Sequence, residues 1–448
     1  MVGERPLGIT ILSALYIIAA VVQLALGVML LFIGNPLATV IANFDSFFFG
    51  ILFIGTGLLE LIVGYYLRSG EAVGWLFTVA LLITDAVIRV LLLVTYGGVQ
   101  WLFFSAFLSL DVVTLSYLTA QSTMAFFGGD NFHAILGKAG VEMQPRFKEW
   151  KFTLRLVRKS SLSLIGAAIV LFYVFLALFA PILAPPGDVT QGGDPMMIPK
   201  DGVSLIPVAP NAKHPFGTTA GQYDMYYGVI WGSRSALRIG VLVAGGSLIV
   251  GLLVGILAAY YGGWLDEVLM RLTDIVLAFP GLILSMALIV VLVPTVFVQR
   301  LDAVMLSLVI VGWPGYARLI RGEILRIKNE DYVEAAKSVG CSDFRVIRSH
   351  ILPNSIYPVL IVFTLDLGTI VLAAAALSFL GLGASPGYAD WGQIIYLSLN
   401  WIYAKASAPF EYWFTFIIPG LFISIFVLGW NLLGDALRDV LDPTLRRK

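Results

Sequence analysis

The chain has 448 residues, of which 59% are hydrophobic and only 12% are Asp, Glu, Lys or Arg. A water-soluble domain carries about 25% charged residues, so this composition excludes a soluble globular enzyme, a disordered protein and a small secreted scaffold. The 28 basic and 28 acidic residues give a formal net charge of +0, with no electrostatic footprint for nucleic acid.

The apolar residues fall in blocks long enough to cross a hydrocarbon core of about 30 Å, which takes roughly 20 residues of helix. Ten spans are predicted, and the first four are closely spaced: 7–34, 46–67, 73–95 and 101–124. The first is longer than the apolar region of a signal peptide and reads as a retained helix, with a cleaved signal as the alternative. Glu60, Asp85, Arg89 and Asp111 lie inside these spans. A charge at the centre of a membrane helix costs about 2.5–3.5 kcal/mol, so such residues usually face a partner. Asp85 and Arg89, spaced i,i+4, can neutralise each other; an ion or substrate site built with Glu60 and Asp111 is the other reading. The four-span unit, 1–130, carries no motif, and assembly, lipid contact and docking of an accessory subunit are all open to it.

A basic linker, 131–160, holds Arg146, Lys148, Lys151, Arg155, Arg158 and Lys159, and six more spans follow: 161–183, 236–260, 272–293, 303–318, 354–380 and 413–434. Basic residues collect on the cytoplasmic side of a membrane. The linker, the segment 318–350 with its seven Lys and Arg, and the ending Arg446-Arg447-Lys448 therefore all face inward if there are ten spans, and both termini are cytoplasmic. The segments 184–235 and 382–412 then lie outside, the first expected to be an irregular loop rich in Pro, Gly and Asp. Pro280 is expected to kink its span. Asp274 reads as structural. Asp366 reads either as lining a pathway or as buried with a neighbour. The run Ala373 to Ala376 reads as close helix packing, and Trp150, Trp264, Trp401 and Trp413 as interfacial anchors. Cys341 is alone, and His133, His214 and His350 show no ligand spacing, so no disulfide or metal centre is expected.

The inner segment RLIRGEILRIKNEDYVEAAKSVGCSDFRVIRSHILPN is predicted to form two short amphipathic helices. Gly340 can close the first in the left-handed conformation, Ser342 and Asp343 can cap the second, and Pro353 can start the next span, where a missing N–H costs little. Residues alone leave open an interfacial hairpin with no partner. Glu334, Ala335, Ala336, Gly340, Leu352 and Pro353, however, resemble the EAA loop of ABC importer permeases, where EAA is followed by Gly after three residues and later by Ile-x-Leu-Pro. His350 holds the generic Ile position, and His-Ile-Leu-Pro-Asn is the form of the dipeptide, oligopeptide and nickel class. The stretch 214–240 is similar to the segment before the second permease helix in Gly217, Thr218, Asp224, Gly232, Arg234 and Leu237, and departs from it at Tyr223 and Gly228, commonly Arg. MRLTDIVLAFPGLIL, LSFLGLG, Asp390-Trp391-Gly392 and the ending NLLGDALRDVLDPTLR match as well, so the resemblance covers about 150–448.

The resemblance implies an all-α polytopic protein: a four-helix extension joined to a six-helix type I importer core, 161–448, of the C-type subunit. It implies that the EAA loop, 321–353, docks an ATPase through Glu334, Ala335, Ala336, Gly340, Asp343, Arg345, Arg348 and Pro353. Glu334, Arg345 and Arg348 would form a charged rim, with the small residues entering a groove. The implied partners are a second, unlike permease, two ATP-binding subunits and an external solute-binding protein, besides membrane lipid. The chain lacks G-x-x-x-x-G-K-[ST], so it is expected to be no enzyme and to bind no cofactor, with ATP and Mg held by the partners. Peptide is the implied cargo, with oligosaccharide or nickel chelate as alternatives. The rivals from other classes are an ion-coupled secondary transporter using the charges of the first four spans and a membrane scaffold.

Overall fold

A computed structural model describes residues 7–33, 46–69, 71–95, 114–127, 133–144, 160–186, 194–295, 300–402 and 410–441. The chain forms two compact units, Met1–Arg155 and Leu156–Lys448.

In the first unit, α1 (Leu7–Ile33), α2 (Ser46–Ser69) and α3 (Ala72–Thr95) coincide with the first three expected spans. Of the fourth, only the part from 114 is described: helix α4 over 114–119 stops at Ala120, whose backbone is extended, and α5 (Gln121–Phe126) follows. Between α1 and α2 the backbones approach through glycine. A Cβ on Gly64 would stand 2.9 Å from Ile17 Cγ1 and 3.2 Å from the Ser13 carbonyl, and one on Gly57 3.0 Å from the Ala20 carbonyl. Small residues that allow such contact are what packs helices in lipid, where there is no hydrophobic drive between them. On this seam Gln23 Nε2 donates to Glu60 Oε1 at 2.8 Å, and Thr56 Oγ1 donates to Gln23 Oε1 at 2.7 Å. Glu60 is thus buried within a polar network. The side chains of Asp85 and Arg89, and the whole of Asp111, lie outside the described residues.

Residues 133–144, within the expected linker, form helix α6. Its Ile135 and Ala139 enter one core with Leu67, Val73, Trp75, Leu118 and Phe127. Trp75 Nε1 donates to the Leu118 carbonyl at 2.9 Å, and Glu142 Oε2 accepts from Val73 N at 3.2 Å. The opposite faces of α1 and α2 carry exposed Ile11, Leu15, Ile18, Leu58, Leu59 and Ile62, suited to hydrocarbon.

The second unit begins with α7 (Ser161–Leu183), started by Ser160, whose side chain accepts from Ser163 N. Next, α8 (Met225–Tyr261) is longer than the predicted 236–260: Asp224 caps it, accepting from Tyr227 N at 2.8 Å, so residues 225–235 are helix and not loop. It packs on α11 (Arg300–Ile327) through glycines; a Cβ on Gly251 would stand 2.8 Å from the Trp313 carbonyl, and one on Gly255 2.5 Å from the Ala317 carbonyl.

The single span expected at 272–293 is instead two helices, α9 (Gly263–Leu277) and α10 (Gly281–Thr295), bent by 90°. Pro280 stands at the break, its carbonyl accepting from Leu284 N at 3.0 Å. Arg321 clamps Asp266 with two 2.6 Å bonds, and Arg318 pairs with Asp274. Both ion pairs tie α9 to the second half of α11.

The remaining helices are α12 (Asp331–Ser338), α13 (Asp343–Val346), a π turn (Ile347–Ile351), α14 (Leu352–Ser355), α15 (Tyr357–Phe379), α16 (Trp391–Leu397), α17 (Leu399–Ile402) and α18 (Phe414–Leu441). Among the described residues six helices are long and apolar enough to span a membrane, or seven if α9 and α10 count as one.

The segment expected to be an irregular loop is firmly built. Ile198 N donates to the Gly387 carbonyl and Ala389 N to the Met196 carbonyl, both at 2.7 Å, pinning it to the connection after α15. Ser235 Oγ donates to the Ala389 carbonyl at 2.6 Å, and Trp391 Nε1 donates to the Val229 carbonyl at 3.0 Å. Ala375 backs this joint so closely that a Cβ on Gly392 would stand 2.3 Å from its carbonyl.

Candidate functional site

The hairpin between α11 and α15 is a packed object with two faces. Helix α12 opens with Asp331 and Glu334 in its first turn and closes with Lys337 in its last, which suits the helix dipole. Cys341 N donates to the Ala336 carbonyl at 3.1 Å and Gly340 N to the Lys337 carbonyl at 2.9 Å, with Gly340 at φ +81°. This is the Schellman closure expected of that glycine. Ser342 occupies the N-cap position of α13 but makes no side-chain cap bond, so the expected cap by Ser342 or Asp343 does not form. Asp343 Oδ1 instead accepts from the Tyr260 hydroxyl at 2.6 Å, tying α13 to the end of α8, while Lys337 Nζ lies 5.4 Å from the centre of the Tyr260 ring.

Pro353 does not start the membrane helix. It sits in α14, and Pro358 occupies the first turn of α15. Lacking an N–H, Pro353 cannot donate to residue 349, and the helix widens into the π turn just before it.

Val333, Ala336, Val346 and Ile351 point inward and share one core with Ala259, Ile320, Ile324, Ile327 and Val359. Ala336, expected to enter a partner's groove, is therefore spent on the chain's own core. The outward face carries Glu334, Ala335, Gly340, Arg345, Arg348 and Pro353, all exposed. It also carries Val339 at 79% and Phe344 at 73% exposure. Sequence reasoning passed over these two, because on a hairpin of mixed pattern the docked face and the free face are both apolar. The signal that could have found them is their position flanking the left-handed glycine, where the chain must turn away from its core.

Asp366 lies on α15, half-buried, with Thr369 Oγ1 3.4 Å from its Oδ1. The hydroxyl of Tyr316 on α11 faces it.

On the opposite side of the unit, His214 bridges two carboxylates, with Nδ1 against Asp224 and Nε2 2.8 Å from Asp201. Lys213 also pairs with Asp201, and its hydrogen bond holds that carboxyl below the usual range. Thr218 Oγ1 accepts from Val208 N at 3.0 Å, and Gly217 at φ +78° has no room for a Cβ, which would meet the Val208 carbonyl at 2.6 Å. Arg234 Nε donates to the Ala177 carbonyl at 2.6 Å, and its guanidinium lies 4.7 Å from the Trp231 ring centre. Gly232 and Leu237 are buried beside them. The motif residues of 214–240 thus build the joint between loop and helix. At Gly228 a Cβ would stand 2.7 Å from Ile198 Cδ1, leaving no space for the arginine common there. Asp390 is buried and caps α16, accepting from Gln393 N at 2.8 Å; burial pushes its carboxyl upward, with the N–H groups of Gln393 and Gly392 offsetting part of that. Among the described residues no cluster of His, Cys, Asp and Glu could hold a metal ion.

Residues 251–447 match the family described as binding-protein-dependent transport system inner membrane component, and residues 149–196 match the N-terminal membrane domain of oligopeptide transport permease C. The dipeptide transport system permease protein DppC of Alkalihalophilus pseudofirmus is 35% identical over 304 residues, 66% of this chain and 90% of its own length. A probable D,D-dipeptide transport system permease protein of Escherichia coli is 35% identical, over 67% of this chain and 94% of its own length. Among solved structures, the MetNI methionine ABC transporter overlaps 49% of this chain and 98% of its own chain, with 20% identity and a TM-score of 0.40. The motifs, the membrane helices and the extent of these matches together show that the chain belongs to the family of inner-membrane permease components of binding-protein-dependent ABC importers.

Proposed function

We propose that this permease subunit carries peptides inward, delivered by an external solute-binding protein, and that the hairpin 331–355 is where a cytoplasmic ATPase docks. Peptide is favoured by the names of similar proteins, which are dipeptide and oligopeptide transport permeases. In this reading the chain pairs with a second, unlike permease, two ATPase subunits bind ATP and Mg, and this chain hydrolyses nothing. Both termini and the hairpin face the cytoplasm, as the basic segments favour, and the built joint of 194–224 with 380–398 faces the binding protein.

The observation that carries the docking role is the division of the hairpin into two apolar faces. One is consumed by the chain's own core; the other leaves Val339 and Phe344 open beside the turn at Gly340. A buried inner face makes the hairpin move with α8 and α11, so force applied at its outer face reaches the membrane helices as a rigid-body displacement. The test is to replace Phe344 with Asp and Val339 with Asp and purify from membranes. Loss of the copurifying ATPases and of ATP-driven peptide uptake, with unchanged insertion, is expected. Retention of both in the double variant would remove the docking role from this face.

A further inference from the structure

Helices α8, α11 and α15 all enter the core of the hairpin. Two of them are joined to it by the chain itself: α11 runs into it after Ile327, and α15 leaves it at Tyr357. Helix α8 reaches it through non-covalent contact, and α8 is also the helix that carries the external joint. At 37 residues it is about 55 Å long. Asp224, which caps its start, meets His214; Ser235 Oγ donates to the Ala389 carbonyl, and Arg238 Nη2 donates to Asp302 Oδ1 of α11 at 2.9 Å. At its other end Lys328 Nζ donates to the Ala259 carbonyl at 2.9 Å.

Apolar packing resists separation but has no direction, so the buried Ala259 does not by itself fix the position of the hairpin along α8. Tyr260 supplies direction. Its hydroxyl donates to Asp343 Oδ1 at 2.6 Å, and Lys337 Nζ lies 5.4 Å from its ring centre. Lys337 is in the last turn of α12 and Asp343 is the first residue of α13, so one side chain of α8 touches both limbs across the turn at Gly340. One contact is a hydroxyl on a carboxylate and the other an ammonium near an aromatic ring. Hydrogen bonds weaken steeply when stretched or tilted, and the pair therefore holds the two limbs in register with the end of α8.

We propose that Tyr260 is a positioning residue for energy coupling: it makes α8 follow the hairpin when a docked ATPase moves it, and so carries that movement to the external joint. The role rests on the hairpin as the docking site and adds to it the residue that grips the helix to which the hairpin is not chained. Coupling between sites is reciprocal, so a loaded binding protein at the external joint reaches the ATPase through the same contact.

The test uses the complete importer in lipid nanodiscs and compares ATP hydrolysis with and without its binding protein loaded with trialanine. Tyr260→Phe keeps the ring and removes the hydroxyl. Copurifying ATPases and basal hydrolysis are expected unchanged, with stimulated hydrolysis lowered roughly fivefold, the lower end of coupling between sites, because Asp343 is exposed. In an Asp343→Ala background the same substitution should have no further effect, since the bond is already gone. A merely structural role would lower basal hydrolysis and persist in that background. Unchanged stimulation in Tyr260→Phe, additive losses in the double variant, or lost basal hydrolysis would overturn the role. Absence of copurifying ATPases from the unsubstituted importer would instead overturn the docking reading, and the coupling with it. If the unsubstituted importer hydrolysed ATP without responding to trialanine, hydrogen exchange over 199–224 decides: an ATP-dependent change that Tyr260→Phe lacks upholds the role, and equal exchange in both overturns it.

Discussion

Asp390 carries two opposed duties. Its side chain satisfies an orphan N–H at the start of α16, and its burial penalises the charge that makes it a good acceptor. Because burial raises its pKa in the folded protein, stability is greatest while it is protonated and falls as pH rises from the ordinary carboxylate value through the raised one. Asp390→Asn keeps an equally good cap without the charge, so thermal denaturation at pH 7 in detergent should show a raised midpoint for Asn. Ala should show a lowered one, by about 1 kcal/mol of cap energy. Asp201 runs the other way. Lys213 lowers its pKa, so the link it makes to His214 is fully present above the ordinary carboxylate value and is lost as pH falls through the lowered one. Replacing His214 with Ala should expose the 201–214 segment to protease at neutral pH, which limited proteolysis reads directly. The motifs singled out Asp224 and Asp390, but nothing in the sequence showed that Asp201, His214 and Asp224 meet. What joins them is a turn that brings Lys200 beside Tyr223.

At the scale of elements, the hairpin was the most legible part of the chain. Gly340, a short amphipathic helix before it and a Pro-containing motif after it specify a turn between two limbs by local chemistry alone, and the turn forms with φ +81°. A Cβ there would meet nothing within 4 Å, so the need for glycine is conformational and not steric. The left-handed conformation costs roughly 1–2 kcal/mol for a residue with Cβ, less for Asn. Gly340→Val should therefore abolish peptide-stimulated ATP hydrolysis in the assembled importer while Gly340→Asn retains a large part; equal activity of the two would show that the turn is not strained. Less legible were the broken span at α9 and α10 and the inward direction of Ala336. An apolar run reads the same whether it crosses the bilayer or lies along it. The bend is imposed by the Arg321 and Arg318 contacts and by Pro280, and a pairing across 44 or more residues leaves no periodic trace. In the first unit, the seam of α1 and α2 rests on backbone contact, so Gly64→Leu should separate the two helices. Loss of a Cys cross-link engineered between them would report it, with a cost of about 1–3 kcal/mol expected from overpacking.

The whole molecule divides at residues 155 and 156. The relatives are matched over 90% and 94% of their own lengths, and the family matches fall at 149–196 and 251–447. Residues 1–148, nearly all of the first unit, thus lie outside the family matches. A chain beginning at Glu149 should insert, assemble with the ATPases and transport with little loss in proteoliposomes; failure to assemble would make the preceding residues part of the importer's core. Composition alone determined that the protein lives in a bilayer, because 12% charge cannot cover a water-exposed surface. Periodicity and turn chemistry determined where most helices run and where the hairpin turns, since those signals are local along the chain. Tertiary structure alone decided which face of the hairpin is free, how the external segment is pinned, and that Asp366 of α15 faces Tyr316 of α11. Each depends on which distant helix fills the neighbouring space, and in a chain that is apolar on nearly every face, hydrophobic pattern cannot tell a packed side from an open one.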